Sequence, residues 1–196
     1  MRPIEQIEML YQAGHNVFGE NRPQELKAKY EALPKDIEWH FIGHLQSNKI
    51  KYIAPFVSLI HSVDSFSLLQ EINRHAAKHN RIIPCLLQFF IAQETTKFGL
   101  SFEECKEMLE SPLFVSLKNV KIVGVMGMAT FTDNKEMIRN EFQKLHHYFT
   151  QLKMKYFSND TDFKEISMGM SDDYEIAIEE GSTIVRVGSA IFRESL

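Results

Sequence analysis

Apolar residues recur along this chain in two alternating rhythms. Ile4, Ile7, Leu10 and Tyr11 fall at helical spacing, with Pro3 in the first turn and Gly14 as a stop, which predicts a helix over 3–13. A short apolar run at 16–21 then reads as a strand, and 23–32 as a helix closed by Pro34. The alternation continues with strands predicted over 37–43, 59–63, 82–91, 120–126, 163–168 and 183–187. Between them lie helical segments at 47–52, 65–78, 101–109, 133–155 and 172–180. Ser65 or Ser67 is suited to cap one of these, and Ser101 with Glu104 three residues later forms a capping-box pattern.

Most of the predicted strands are continuous apolar runs rather than alternating ones. Continuous runs that alternate with helices predict a parallel sheet covered by helices. The spacing fits an α/β fold, either a (β/α)8 barrel or a doubly wound sheet. No Gly-x-Gly-x-x-Gly follows the first strand, which disfavours a dinucleotide fold. Seven strands are one short of a closed barrel, and the first helix has no predicted strand before it. No linker or low-complexity segment divides residues 1–196, so one domain is expected.

Composition narrows the function classes. The chain has 22 Lys and Arg against 26 Asp and Glu, interspersed, for a net charge of −4. That is not a nucleic-acid footprint, which needs clustered basic charge. No apolar run approaches the roughly 20 residues of a membrane span. The two cysteines, Cys85 and Cys105, offer neither a disulfide framework nor metal spacing. A cytoplasmic setting is expected. Ser–His–Asp spacing and HExxH are both absent, so neither triad nor metal chemistry is indicated.

In a βα barrel, function sits where strands end. The predicted exits carry Glu20 and Asn21, His44, Asp64, Gln93, Thr130, Ser167 and Ser171, then Arg186 and Ser189. The stretch from Ser167 to Asp173 and the stretch Val185-Arg186-Val187-Gly188-Ser189 are the most suggestive pair. Free backbone N–H groups beside a helix start suit a phosphate, and Arg186 adds a fixed cation. Turns of this kind more often only redirect the chain. His40 and His61 lie inside strands and read as satisfied core residues.

Those same residues resemble a known family. Phe18-Gly19-Glu20-Asn21, the run from Trp39 to Lys49, and His61-Ser62-Val63-Asp64-Ser65 are similar to signatures of the pyridoxal-5′-phosphate-binding homeostasis proteins. So are Thr96-Lys97-Phe98-Gly99-Leu100, Gly127-Met128-Ala129-Thr130 and the two stretches above. These proteins are single-domain relatives of the alanine racemase barrel. The resemblance implies a barrel binding pyridoxal 5′-phosphate (PLP) at its top face, with a regulatory rather than catalytic role. It implies that Ser167, Gly188 and Ser189 hold the phosphate and that Arg186 faces the pyridine nitrogen. It places Asn21 near the ring hydroxyl, and His44 is taken as a further cofactor-binding residue. A guanidinium there keeps the ring nitrogen unprotonated, which weakens the electron sink needed for carbanion chemistry.

The resemblance also exposes departures. Family members carry a first strand ending in a Ser-Lys-Thr motif, whose lysine forms the Schiff base, and the present sequence begins after that point. Lys49 and Lys97 are the candidates to replace that lysine. Phe90 stands where Asn is usual, and Arg193 where Gly is usual. The expectation is an incomplete barrel that holds PLP through phosphate and ring contacts. It is a monomer whose open sheet edges invite association. The alternatives are a racemase-like enzyme or a degenerate member that no longer binds PLP covalently.

Overall fold

The computed structural model describes residues 3–93 and 98–192. Lys97 and Arg193 therefore lie outside the described residues. Seven parallel strands form one sheet, in the same order in space as in sequence. They are β1 (Val17–Glu20), β2 (Glu38–Phe41), β3 (Leu59–Val63), β4 (Ile83–Gln88), β5 (Val120–Met126), β6 (Glu165–Met170) and β7 (Ile184–Arg186). The helices are α1 (Ile4–Gln12), α2 (Pro23–Ala32), α3 (Phe66–Ala77), α4 (Phe102–Glu110), α5 (Pro112–Val115), α6 (Lys135–Lys155) and α7 (Tyr174–Glu179). A 3₁₀ turn, Ser47–Tyr52, connects β2 to β3. The architecture is an incomplete barrel of the (β/α)8 type, with β1 and β7 as its two edges. No helix of the described residues is long and apolar enough to cross a membrane.

Local sequence explains the elements. Every residue of β3 is buried, as expected for a strand covered on both faces. Ser65 accepts the Leu68 N–H at 3.3 Å to start α3. The capping box forms at α4: Ser101 Oγ accepts from the Glu104 N–H, and Glu104 Oε2 accepts from the Ser101 N–H at 2.8 Å. The predicted strand 82–91 is shorter than its apolar run. Past Gln88 the Phe89 N–H still donates to the Met126 carbonyl at 2.8 Å, and the backbone then turns to a different partner, the Phe90 N–H donating to the Leu100 carbonyl at 3.1 Å. The short helix α5 was not expected from the pattern. Pro112 at its first position and Ser111 as its cap account for it.

Two hydrophobic clusters result. The large one lies between sheet and helices and contains Trp39, Phe41, Phe142 and Phe163, each essentially inaccessible. The small one comprises Leu59, Leu86 and Met126, with Val123 and Ile184 against it. Three of these lie two residues before a polar residue on the same strand: Leu59 before His61, Leu86 before Gln88, and Ile184 before Arg186. Residues two apart share a sheet face. The inner face is therefore apolar at its base and polar toward the strand exits.

Backbone approach is closest between β5 and β6. Gly124 has φ +158°, and a Cβ there would lie 1.9 Å from the Glu165 carbonyl oxygen. We predict that Gly124→Ala costs about 2–3 kcal/mol through this clash. That lowers the melting temperature by roughly 5–10 °C in a thermal denaturation experiment.

Candidate ligand site at the strand exits

The strand exits lead into a cavity of about 770 Å³ that spans the two sheet edges. It is lined from one side by Val17, Phe18, Gly19, Glu20 and Asn21, and from the other by residues 184–188, with His40, His61, Met128 and Met170 between. Ile191 and Phe192 close it from the C-terminal side. The volume suits a small aromatic ligand.

Arg186 is the cavity's fixed cation. Its Nη1 donates to Ser167 Oγ at 2.6 Å and its Nη2 to the Gly127 carbonyl at 3.1 Å. One side chain on β7 thus bridges β6 and the exit of β5. Burial lowers its pKa from the usual 12.5 to about 10, so it is a guanidinium at neutral pH. Ser167 also meets His61 Nδ1 at 2.9 Å, and His61 Nε2 meets His40 Nδ1 at 3.1 Å. Burial pushes the His40 pKa down to about 4. The His61 pKa falls well below 6.5 because of burial first, then the neighbouring His40 and the Arg186 charge. Both rings are neutral near pH 7.

Beside this network lies a pair of backbone donors. The N–H groups of Gly188 and Ala190 both donate to Ser171 Oγ, at 3.1 and 3.4 Å. A Cβ built on Gly188 meets nothing within 4 Å. Gly169, just before on β6, has φ +94°, and a Cβ there would press on Ala177 and Tyr174. Glycine here lets α7 sit close against the end of β6.

On the opposite edge, Asn21 is held from both sides. Its N–H donates to Glu20 Oε1 at 2.7 Å, and the Arg22 N–H adds a second contact at 3.3 Å. Glu20 Oε2 is ion-paired with Lys29 on α2 in a buried setting. Glycine at position 43 is required as well, because a Cβ there would lie 2.2 Å from the Asn21 carbonyl oxygen.

The six residues expected at the site are therefore placed as follows. Asn21, Arg186 and Gly188 line the cavity. Ser167 is fully buried and its hydroxyl is committed to Arg186 and His61; the hydroxyl that meets the Gly188 N–H is that of Ser171. His44 is outside the cavity wall, 3.2 Å from Asp64 and 4.9 Å from the Phe98 ring. Ser189 is exposed beside the donor pair. Of the lysines, Lys29 alone among the described residues reaches the wall, and Glu20 holds its amine. His40 and His61, read from sequence as core residues, belong to the site. Among the described residues no cluster could hold a metal ion.

This fold and this site define a barrel of the alanine racemase type, and the chain belongs to the family of the alanine racemase N-terminal domain, whose profile matches residues 3–195. A pyridoxal phosphate homeostasis protein of Aquifex aeolicus is 44% identical over 193 residues, covering 98% of this chain and 82% of the relative. The structure of PipY of Synechococcus elongatus is 32% identical and covers 98% of this chain and 88% of that one. Its TM-scores are 0.90 without PLP and 0.85 with PLP bound. Alanine racemase of Bartonella henselae, 17% identical over 96% of this chain and 52% of that one, shares the fold at a TM-score of 0.69. Within the family, the chain groups with the pyridoxal phosphate homeostasis proteins.

The neutral histidines make stability depend on pH. Unfolded, both titrate near 6.5; folded, His40 titrates near 4 and His61 well below 6.5. Between those values the unfolded chain binds more protons, so stability falls as pH drops from 6.5 toward 4. His40 alone accounts for about 3 kcal/mol across that window. Urea midpoints at pH 7 and 4.5 should differ less in His40→Gln than in the wild type.

Proposed function

We propose that this chain binds pyridoxal 5′-phosphate at the β1–β7 end of the barrel and serves PLP homeostasis without catalysis. The observation that carries the reading is the pairing of a donor cradle with a buried cation. The N–H groups of Gly188 and Ala190 already converge on one oxygen, that of Ser171, and Arg186 stands at the cavity wall. A phosphate oxygen competes for that same pair of donors, with Ser171 as a further hydroxyl donor. The open space at the Gly188 Cα gives the phosphate room.

Arg186 then faces the heteroaromatic ring. A guanidinium disfavours a proton on an adjacent ring nitrogen. PLP bound there supplies an electrophilic aldehyde on an aromatic ring. The chain's own groups hold and orient it: Asn21 on one edge, Arg186 and Gly188 on the other. With Lys29 ion-paired to Glu20, the described residues retain PLP through phosphate and ring contacts. The relatives named as homeostasis proteins and the PLP-bound PipY structure support the same assignment.

The histidines of the buried network and the cysteines support the reading without catalysis. Acid–base chemistry needs a group able to change protonation near neutral pH. His40 and His61 are held neutral and bonded to one another. The two cysteine thiols are buried and pushed upward, Cys105 to about 12.

Absorbance titration and equilibrium dialysis with PLP test the reading. The wild type should bind PLP, and Arg186→Leu should weaken it by about 10- to 100-fold, the worth of a charged hydrogen bond. Gly188→Leu should fold normally and lose PLP, because its side chain enters the ligand space. A wild type that retains no PLP, or retains it equally in both variants, overturns the assignment.

A further inference from the structure

The four side chains Arg186, Ser167, His61 and His40 are in series, and their hydrogens can be counted. A guanidinium carries donors only, so Ser167 Oγ accepts from Arg186 Nη1. The serine hydroxyl hydrogen then needs an acceptor. Ser167 is fully buried, and its one other side-chain partner among the described residues is His61 Nδ1 at 2.9 Å. If His61 Nδ1 carried a hydrogen, two donors would point at the serine oxygen and its own hydrogen would have nowhere to go. A buried orphan donor of that kind is costly. His61 Nδ1 is therefore the acceptor, and in a neutral ring the hydrogen sits on Nε2.

The same step repeats once more. His61 Nε2–H donates to His40 Nδ1 at 3.1 Å. His40 then carries its hydrogen on Nε2, which has no partner among the described residues. His40 is half-buried and lines the cavity. Each donor points away from the Arg186 charge, the direction the cation itself favours.

We propose that these four residues form one directional hydrogen-bond chain that starts at Arg186, fixes both histidines as Nε2–H tautomers, and presents His40 Nε2–H as a donor to an acceptor atom on the ring of the bound ligand. Nothing in the family resemblance assigned His40 to the site. The contact rests on the PLP reading, whereas the tautomers do not. His40 becomes a binding residue. Ser167 and His61 act through it, as positioning residues.

Long-range ¹H–¹⁵N correlation spectra of the uniformly labelled, ligand-free protein at pH 7 test the chain directly. Both His40 and His61 should show a protonated Nε2 and an acceptor Nδ1. A protonated Nδ1 on either overturns the chain. In Ser167→Ala the His61 signals should shift toward a mixture of tautomers while the protein remains folded. Unchanged tautomers there show that Ser167 does not set them, and overturn its role.

Adding PLP tests the contact. The His40 Nε2–H cross peak should move. His40→Phe should weaken binding about five- to tenfold, the worth of one neutral hydrogen bond. His40→Gln, whose amide can still donate, should stay nearer the wild type. Binding equal in wild type and His40→Phe overturns the contact and leaves the PLP reading standing. A wild type that binds no PLP overturns that reading and the contact together, and leaves the tautomer result to stand by its own spectrum.

Discussion

The structure depends most on how one buried guanidinium is satisfied. Arg186 sits on a strand of only three residues, at an edge of the sheet. An isolated charge there would be prohibitive. Its bonds to Ser167 on β6 and to the Gly127 carbonyl at the β5 exit tie the last strand across two neighbours. Ser182 reinforces this, its hydroxyl donating to the Met168 carbonyl at 2.8 Å with the Ile184 and Ile166 carbonyls within reach at 3.0 and 3.2 Å. Removing the arginine thus loosens an edge strand as well as the cavity wall. His61, linked to it through Ser167, stays neutral at ordinary pH because of burial first, then His40 and the Arg186 charge.

The opposite edge is held by a different device. At β1 a carboxylate, Glu20, gathers two backbone N–H groups and one ammonium, and Gly43 leaves room for the Asn21 carbonyl. Glu20 and Phe18 alternate with Val17 and Gly19 along the strand in burial. Glu20 and its partner Lys29 both line the cavity, so this carboxylate cluster forms part of its wall. A ligand between β1 and β7 touches two edges, each made rigid by its own polar cluster. Neither edge relies on the ligand for its hydrogen bonds.

Much of this was legible in the sequence, for identifiable reasons. The continuous apolar run at Leu59–Val63 could only be a strand covered on both sides, and the structure buries all five residues. Arg186 stood out as a cation among strand formers, and Gly188 as a small residue past a strand end. Ser167 and Ser171 could not be separated by composition. Their difference is one of position: the first lies within β6 on its inner face, the second beyond its end. His40 and His61 were opaque for another reason. A lone histidine in a strand looks the same whether its partner is water, backbone or another histidine. The contacts that define this pair span 21 and 106 residues of chain, and no local pattern records them. The C-terminal end of β4 was overread because Phe89 and Ile91 stay buried past the strand's last residue, Gln88.

The order of the strands has a consequence for assembly. Among the described residues each strand pairs only with its neighbours in the sequence, and the pairing that would join the first to the last, a closed barrel's most distant contact, is not among those formed. The loop-closure entropy of joining chain ends grows with the length between them, and topologies dominated by near contacts fold faster than those that must wait for far ones. Every strand pairing formed among the described residues joins strands adjacent in the chain, so none of them waits on a far one. The site is complete only with β7 in place, because Arg186 on β7 reaches Ser167 on β6.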